Sequence, residues 1–305
     1  MKKKILKIIC GVAVFLLVGG SGFFLVKNLA QGKTDVKIIA ANFIGYDFIR
    51  AVTGESSRVE MILKPGEEVH NFEPTPEEII KIKKADLFIY TGGESDEWIE
   101  KLLKDNEVEA EKTLRLMDLV ELREEEGEEG EYDEHIWTSP VNAMKLIEGV
   151  REKLTEIYPE EKEKFNQNAK NYSEKFSKFD QEIRKIIENG KRKELVFGDR
   201  FPFLYLVREY GLDYYAAFSG CSEQIEASSQ TISFLIKKVR EDKIPVILKI
   251  ELTSDKLARS IAEETGAKVL ELNAAHNVSE EDFRKGTTYA EMMEKNIGVL
   301  REALE

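Results

Sequence analysis

The chain has 305 residues, of which 42% are hydrophobic and 34% charged, with 7 Pro and 20 Gly; this is a globular balance, not that of a disordered or fibrous chain. Formal net charge is −13, yet residues 1–34 hold six Lys and no acid, so the remainder carries −19. A surface that acidic excludes nucleic-acid binding, which rests on cations facing phosphates, and suits a protein that meets cations.

Lys2, Lys3, Lys4 and Lys7 precede residues 8–26, nineteen uncharged and mostly apolar residues ending at Lys27. That length spans a hydrocarbon core of about 30 Å. The lysines put the N-terminus in the cytoplasm and the rest of the chain outside. Residues 1–34 therefore read as a secretory signal retained as a membrane anchor, although Val18-Gly19-Gly20 would also serve as a cleavage site. With only Cys10 and Cys221 present, no intramolecular disulfide is expected in the exported part, and Cys221 reads as a small buried hydrophobe.

Val36 to Ala41 reads as a strand, Asp47 to Val52 as a helix and Arg58 to Leu63 as a second strand. Pro76 starts a helix running to Lys84, Leu87 to Tyr90 is a short buried strand, and a helix follows over Glu97 to Leu103. This alternation predicts an α/β fold with a mostly parallel sheet covered on both faces. Residues 124–134 hold eight acids in eleven positions and read as a solvated, mobile loop. Beyond Pro140 come a helix over Val141 to Ile157 and a second over Glu160 to Ile187. The second carries Phe165, Ala169, Tyr172, Phe176 and Phe179 on one apolar stripe. It is long enough to join two lobes. The alternation then restarts: a strand over Leu195 to Phe197, helices over Phe203 to Tyr210 and Thr231 to Glu241, a strand over Val246 to Ile250, a helix over Ser254 to Thr265, a strand over Val269 to Leu272, and a last helix over Tyr289 to Leu304. The expected domains are an anchor at 1–34, an N-terminal lobe at 35–158, a linker helix at 159–189 and a C-terminal lobe at 190–305.

Three His are few for this length, and each lies in a loop: His70, His135 and His276. His70 follows the second strand and His276 the strand ending at Leu272, and ligands of open α/β sheets sit beyond the carboxyl ends of strands. From composition alone, a lone loop His is more often a polar surface residue. The segment GEEVHNFEPTPEEIIKIKKADLFIYTGG, from Gly66, resembles the metal-binding subunits of zinc and manganese ABC importers. Glu97-Trp98, Asp133-Glu134-His135-Ile136-Trp137 with Pro140, Tyr205, Tyr210-Gly211-Leu212, Glu226-Ala227-Ser228, Glu251, Thr288-Tyr289 and Asn296 follow in the family's order, so the resemblance covers residues 36–304.

The resemblance implies two α/β lobes joined by a rigid helix with one metal held between them. His70 and His135 match the family's first two ligands. The third should follow the strand ending at Phe197; alignment on the strand places Asp199 there, and alignment on Tyr210-Gly211 places Arg200, which cannot ligate. Asp199 is the candidate. The fourth family position falls close to His276. Glu226 and Glu251 are acidic alternatives in the second lobe. Three imidazoles with one carboxylate make a four-coordinate zinc site, whereas two carboxylates with two His would favour manganese. The implied role is an extracytoplasmic protein that captures Zn2+ and hands it to an ABC permease and its ATPase, working as a monomer on the outer face of the membrane. Alternatives are a manganese- or iron-binding homologue, a surface adhesin of the same fold, and a zinc metallohydrolase suggested by His70-x-x-Glu73. The hydrolase is disfavoured because Glu73 sits before Pro74 in a turn and no catalytic motif is present.

Overall fold

The structure, a computed structural model, describes residues 38–67, 72–105, 108–125, 130–218, 220 and 227–305. The N-terminal segment read as an anchor, His70, Cys221 and Glu226 lie outside the described residues. Among the described residues no helix is long and apolar enough to cross a membrane.

Strands β1 (Ile38–Ala40), β2 (Val59–Met61), β3 (Leu87–Tyr90) and β4 (Thr113–Arg115) form one parallel sheet in the order β2-β1-β3-β4. Strands β5 (Glu194–Phe197), β6 (Asp213–Ala216), β7 (Val246–Lys249) and β8 (Lys268–Glu271) form a second in the order β6-β5-β7-β8. The central strands β1, β3 and β5 are apolar runs buried on both faces, as a helix-covered parallel sheet requires. Edge strands β4 and β6, which the sequence reading missed, are short and at most partly buried.

Helix α1 (Phe43–Thr53) begins four residues before the expected start, because the Asn42 side chain accepts the Gly45 N–H and caps it. Helix α2 (Pro76–Lys84) has the predicted bounds. Its Glu-Pro-Thr-Pro entry is a capping box in which Thr75 and Glu78 satisfy each other's backbone N–H, with Pro76 in the first turn. Helix α3 (Glu97–Lys104) completes the first lobe's alternation, and α4 (Pro140–Ile157) is capped by Ser139.

The 28-residue helix α5 (Lys162–Asn189) is about 42 Å long. Its apolar stripe divides between two cores. Phe165, Ala169, Tyr172 and Phe176 pack with β1, α1 and α4, while Ile183, Ile186 and Ile187 pack with β5 and β7. Helices α6 (Leu204–Tyr210), α7 (Ser229–Glu241), α8 (Lys256–Thr265) and the short α9 (Glu280–Lys285) follow. The last helix, α10 (Tyr289–Leu304), is shared in the same way as α5: Tyr289, Met292 and Met293 enter the first core, and Ile297, Leu300 and Leu304 the second.

The acidic segment departs from the expectation of a free solvated loop. Glu124 and Tyr132 form an antiparallel bridge, the Glu125 N–H donates to Glu131 O at 2.9 Å, and the Asp133 N–H donates to Arg123 O at 3.0 Å. Its two ends are thus pinned together, with Asp133, Glu134 and His135 buried where it rejoins the body.

Candidate metal centre

His135 leaves the pinned segment just before α4. Asp133 Oδ1 accepts the His135 backbone N–H at 2.7 Å and lies 3.0 Å from His135 Nδ1. A carboxylate can only accept, so Nδ1 carries the hydrogen and the lone pair of the neutral ring falls on Nε2. Burial favours the neutral imidazole, but the charges of Asp133, Glu134 and Glu125 outweigh it and raise the His135 pKa above the ordinary histidine value.

His276 lies in the loop after β8 and is held from outside that loop. Glu251, just past β7, accepts the Ala274 N–H through Oε2 at 2.7 Å and the His276 N–H through Oε1 at 3.0 Å; Oε1 is also 3.5 Å from His276 Nδ1. Burial works to raise the Glu251 pKa, but His276 and the Ala274 N–H outweigh it and hold the carboxyl below its ordinary range. Ala275 adopts φ +58° between these two bonds, its N–H donated to Asn273 Oδ1 at 2.8 Å. The Asn296 carboxamide from α10 exchanges two hydrogen bonds with the Asn273 backbone.

These loops bring the two imidazoles together, ring centroids 4.5 Å apart at 80°. Trp137 stands edge-on to both and donates its Nε1 hydrogen to Ala274 O at 2.7 Å, while the Tyr289 hydroxyl donates to Trp137 O. Nearby, Glu134 accepts the Ser95 N–H at 3.0 Å. Asp96 accepts the Thr91 and Gly92 N–H groups at 2.9 Å, and burial pushes its carboxyl up to about 7.

Asp199 does not join the pair. Its Oδ1 accepts the Arg200 N–H at 2.8 Å, and its Oδ2 accepts the Ile250 N–H at 3.1 Å and the Thr253 hydroxyl at 2.5 Å. This buried carboxylate ties the end of β5 to the loop after β7. Glu251, the alternative, is engaged in shaping the His276 loop. Among the described residues no group of three or more His, Cys, Asp or Glu stands where it could hold a metal ion. The roles of Asp133 and Glu251 in orienting imidazoles were missed from sequence. Asp133 had a signal in its place two residues before His135; Glu251 had none, being 25 residues from His276.

A family model described as the zinc-uptake complex component A, periplasmic, matches residues 38–303. The chain belongs to that family. It is 34% identical over 304 residues to the zinc-binding lipoprotein AdcA of Streptococcus pneumoniae, an alignment covering 95% of this chain and 60% of that protein. The chain thus spans 60% of that relative's length. It is 30% identical over 305 residues to the high-affinity zinc uptake system protein ZnuA of Bacillus subtilis, covering 96% of this chain and 95% of that one. Among solved structures, the Zn(II)-bound ZnuA-like domain of Streptococcus pneumoniae AdcA superposes with a TM-score of 0.74 at 33% identity, over 88% of this chain and 98% of that chain.

Proposed function

We propose that this family member captures zinc as cargo through His70, His135 and His276 and surrenders it to the permease of an ABC importer driven by its ATPase. The observation that carries the reading is the contact of His135 with His276, two imidazoles from different loops, each beside a carboxylate on its Nδ1 side. Neutral imidazole suits zinc, whereas calcium and magnesium take oxygen shells. The zinc named in the relatives' descriptions agrees with that chemistry. The proposed set is these three imidazoles, with Asp199 or a water in the fourth coordination place. The role is binding and release, not catalysis. The protein works as a monomer on the outer face of the membrane, held by residues 8–26, and the acidic segment leading to His135 concentrates cations near the site.

Zinc titration of the metal-stripped full chain tests this, with manganese as competitor. One tightly bound zinc per chain, displaced poorly by manganese, is expected. Replacing His70, His135 or His276 by Ala each weakens binding at least tenfold, a loss that outer-shell changes alone can reach. A manganese preference, or a His276→Ala chain that binds zinc like the parent, would overturn the ligand set.

A further inference from the structure

We infer that Trp137 is a positioning residue for zinc: its indole braces the second-lobe loop carrying His276 against the first-lobe loop carrying His135. Trp137 is 3% exposed and follows His135 by two residues. Its Nε1 hydrogen crosses to Ala274 O at 2.7 Å, two residues before His276. The same ring stands edge-on to both imidazoles, its centroid 5.5 Å from that of His135 and 6.1 Å from that of His276. An indole N–H can only donate, so it seeks a carbonyl, and the rest of the ring offers each imidazole an apolar flank. One side chain thus bonds to one metal loop, belongs to the other and touches both rings.

Both ends of the brace are backed by α10. The Tyr289 hydroxyl donates to Trp137 O. Seven residues on, about two turns along the same helix face, the Asn296 carboxamide donates to Asn273 O at 2.7 Å and accepts the Asn273 N–H at 2.8 Å. Both side chains are buried. Asp133 and Glu251 have a different task, each orienting one imidazole from its own side of the pair. Those carboxylates set how each ring turns, and the indole sets how the two rings stand to one another. Without the indole N–H, the buried Ala274 O loses this donor, while Glu251 still holds the N–H groups of Ala274 and His276. The loop therefore keeps its shape and loses its bond to the first-lobe loop.

The inference rests on His135 and His276 being ligands, and zinc titration of the full chain in a substitution cycle separates the two claims. Trp137→Phe, which keeps an aromatic ring and removes the N–H, is expected to raise the zinc Kd about tenfold, the size of an outer-shell loss. In a His276→Ala background the same change should cost no more than about threefold, because the Ala274 bond then has no ligand to place. Trp98→Phe is the control. It also removes an indole, but one packed on Phe72 and Phe88 in a separate core, so zinc affinity should not change. Cobalt(II) in place of zinc gives a visible spectrum that reports ligand geometry; it should shift in Trp137→Phe and stay put in Trp98→Phe. If Trp137→Phe fails to fold, Tyr289→Phe carries the test: it keeps the buried ring, frees only Trp137 O, and should give a cobalt shift with a smaller rise in Kd. An equal loss in both backgrounds, an unmoved cobalt spectrum, or an unchanged Kd overturns the brace while the ligand set stands. A His276→Ala chain that binds zinc like the parent overturns the ligand set itself.

Discussion

His135 and His276 meet at one point but are built differently. His135 is held by its own loop: Asp133, two residues before it, takes both its backbone N–H and its Nδ1 side. His276 is held by a neighbouring strand end, where Glu251 spans 25 residues of sequence to accept two loop N–H groups and face the ring. The electrostatic outcome is shared, since each carboxylate favours the tautomer with its lone pair on Nε2. The structural cost of removing it is not. A local orienter can be lost with its loop otherwise closed, whereas a remote one takes the loop's conformation with it. Ala275 makes this plain: a non-glycine residue at φ +58° persists only where its surroundings over-determine it.

Replacing each orienter breaks the comparison most directly. Glu251→Ala leaves the N–H groups of Ala274 and His276 without their acceptor, at about 1–3 kcal/mol each when buried. Asp133→Ala strips one such N–H, from His135. We expect the Glu251 variant to lose roughly twice the stability of the Asp133 variant in urea unfolding of the metal-free chain, and both to bind zinc about tenfold more weakly. Equal stability losses would mean that the His276 loop holds its shape without Glu251.

How much of this was legible in the sequence follows the same division between local and remote. Helix α2 could be bounded to the residue because its signals, Thr75, Pro76 and Glu78, are adjacent. Strands β3 and β5 announced themselves as buried apolar runs, and the long stripe of α5 gave the joining helix. Edge strands β4 and β6 did not: both are short and only partly buried, with Thr113, Arg115 and Asp213 among their residues. At the site, all three His stood out by their loop placement and their motifs. Asp199 was singled out by aligning the family's third ligand on the strand ending at Phe197. Its employment by Ile250 and Thr253, more than 50 residues away, is a tertiary fact that no spacing encodes.

The His135 loop is also gripped from a remote helix. The Tyr205 hydroxyl, from α6 in the second half of the chain, donates to Asp133 O at 3.0 Å and accepts the Arg123 N–H at 3.1 Å. Tyr205 therefore grips both ends of the acidic segment at the point where they are already paired. Tyr205→Phe keeps the buried ring and removes only these bonds, a loss of about 1 kcal/mol. Thermal unfolding should register that loss, and zinc affinity should fall less than with Asp133→Ala. A fall as large would make Tyr205, and not Asp133, the main support of His135.

The smallest effect concerns pH. In the metal-free chain the pKa of His135 is raised because Asp133, Glu134 and Glu125 outweigh burial. A raised folded value means that the protonated ring stabilises the fold fully below the unfolded value of about 6.5, and that this contribution is lost as pH rises through the folded value. Zinc needs the same nitrogen deprotonated, so its affinity climbs over that interval while the metal-free fold loses this contribution. Asp133→Asn removes the leading charge that raises the pKa while keeping an oxygen acceptor for the backbone N–H. The midpoint of zinc affinity against pH should then move to lower pH, even as affinity at neutral pH declines. The matching change at the other histidine, Glu251→Gln, acts through loop geometry as well as charge and should lower affinity across the whole range. A midpoint unmoved by Asp133→Asn would show that the His135 proton is not the one zinc displaces, leaving His70 or His276 to set the pH dependence.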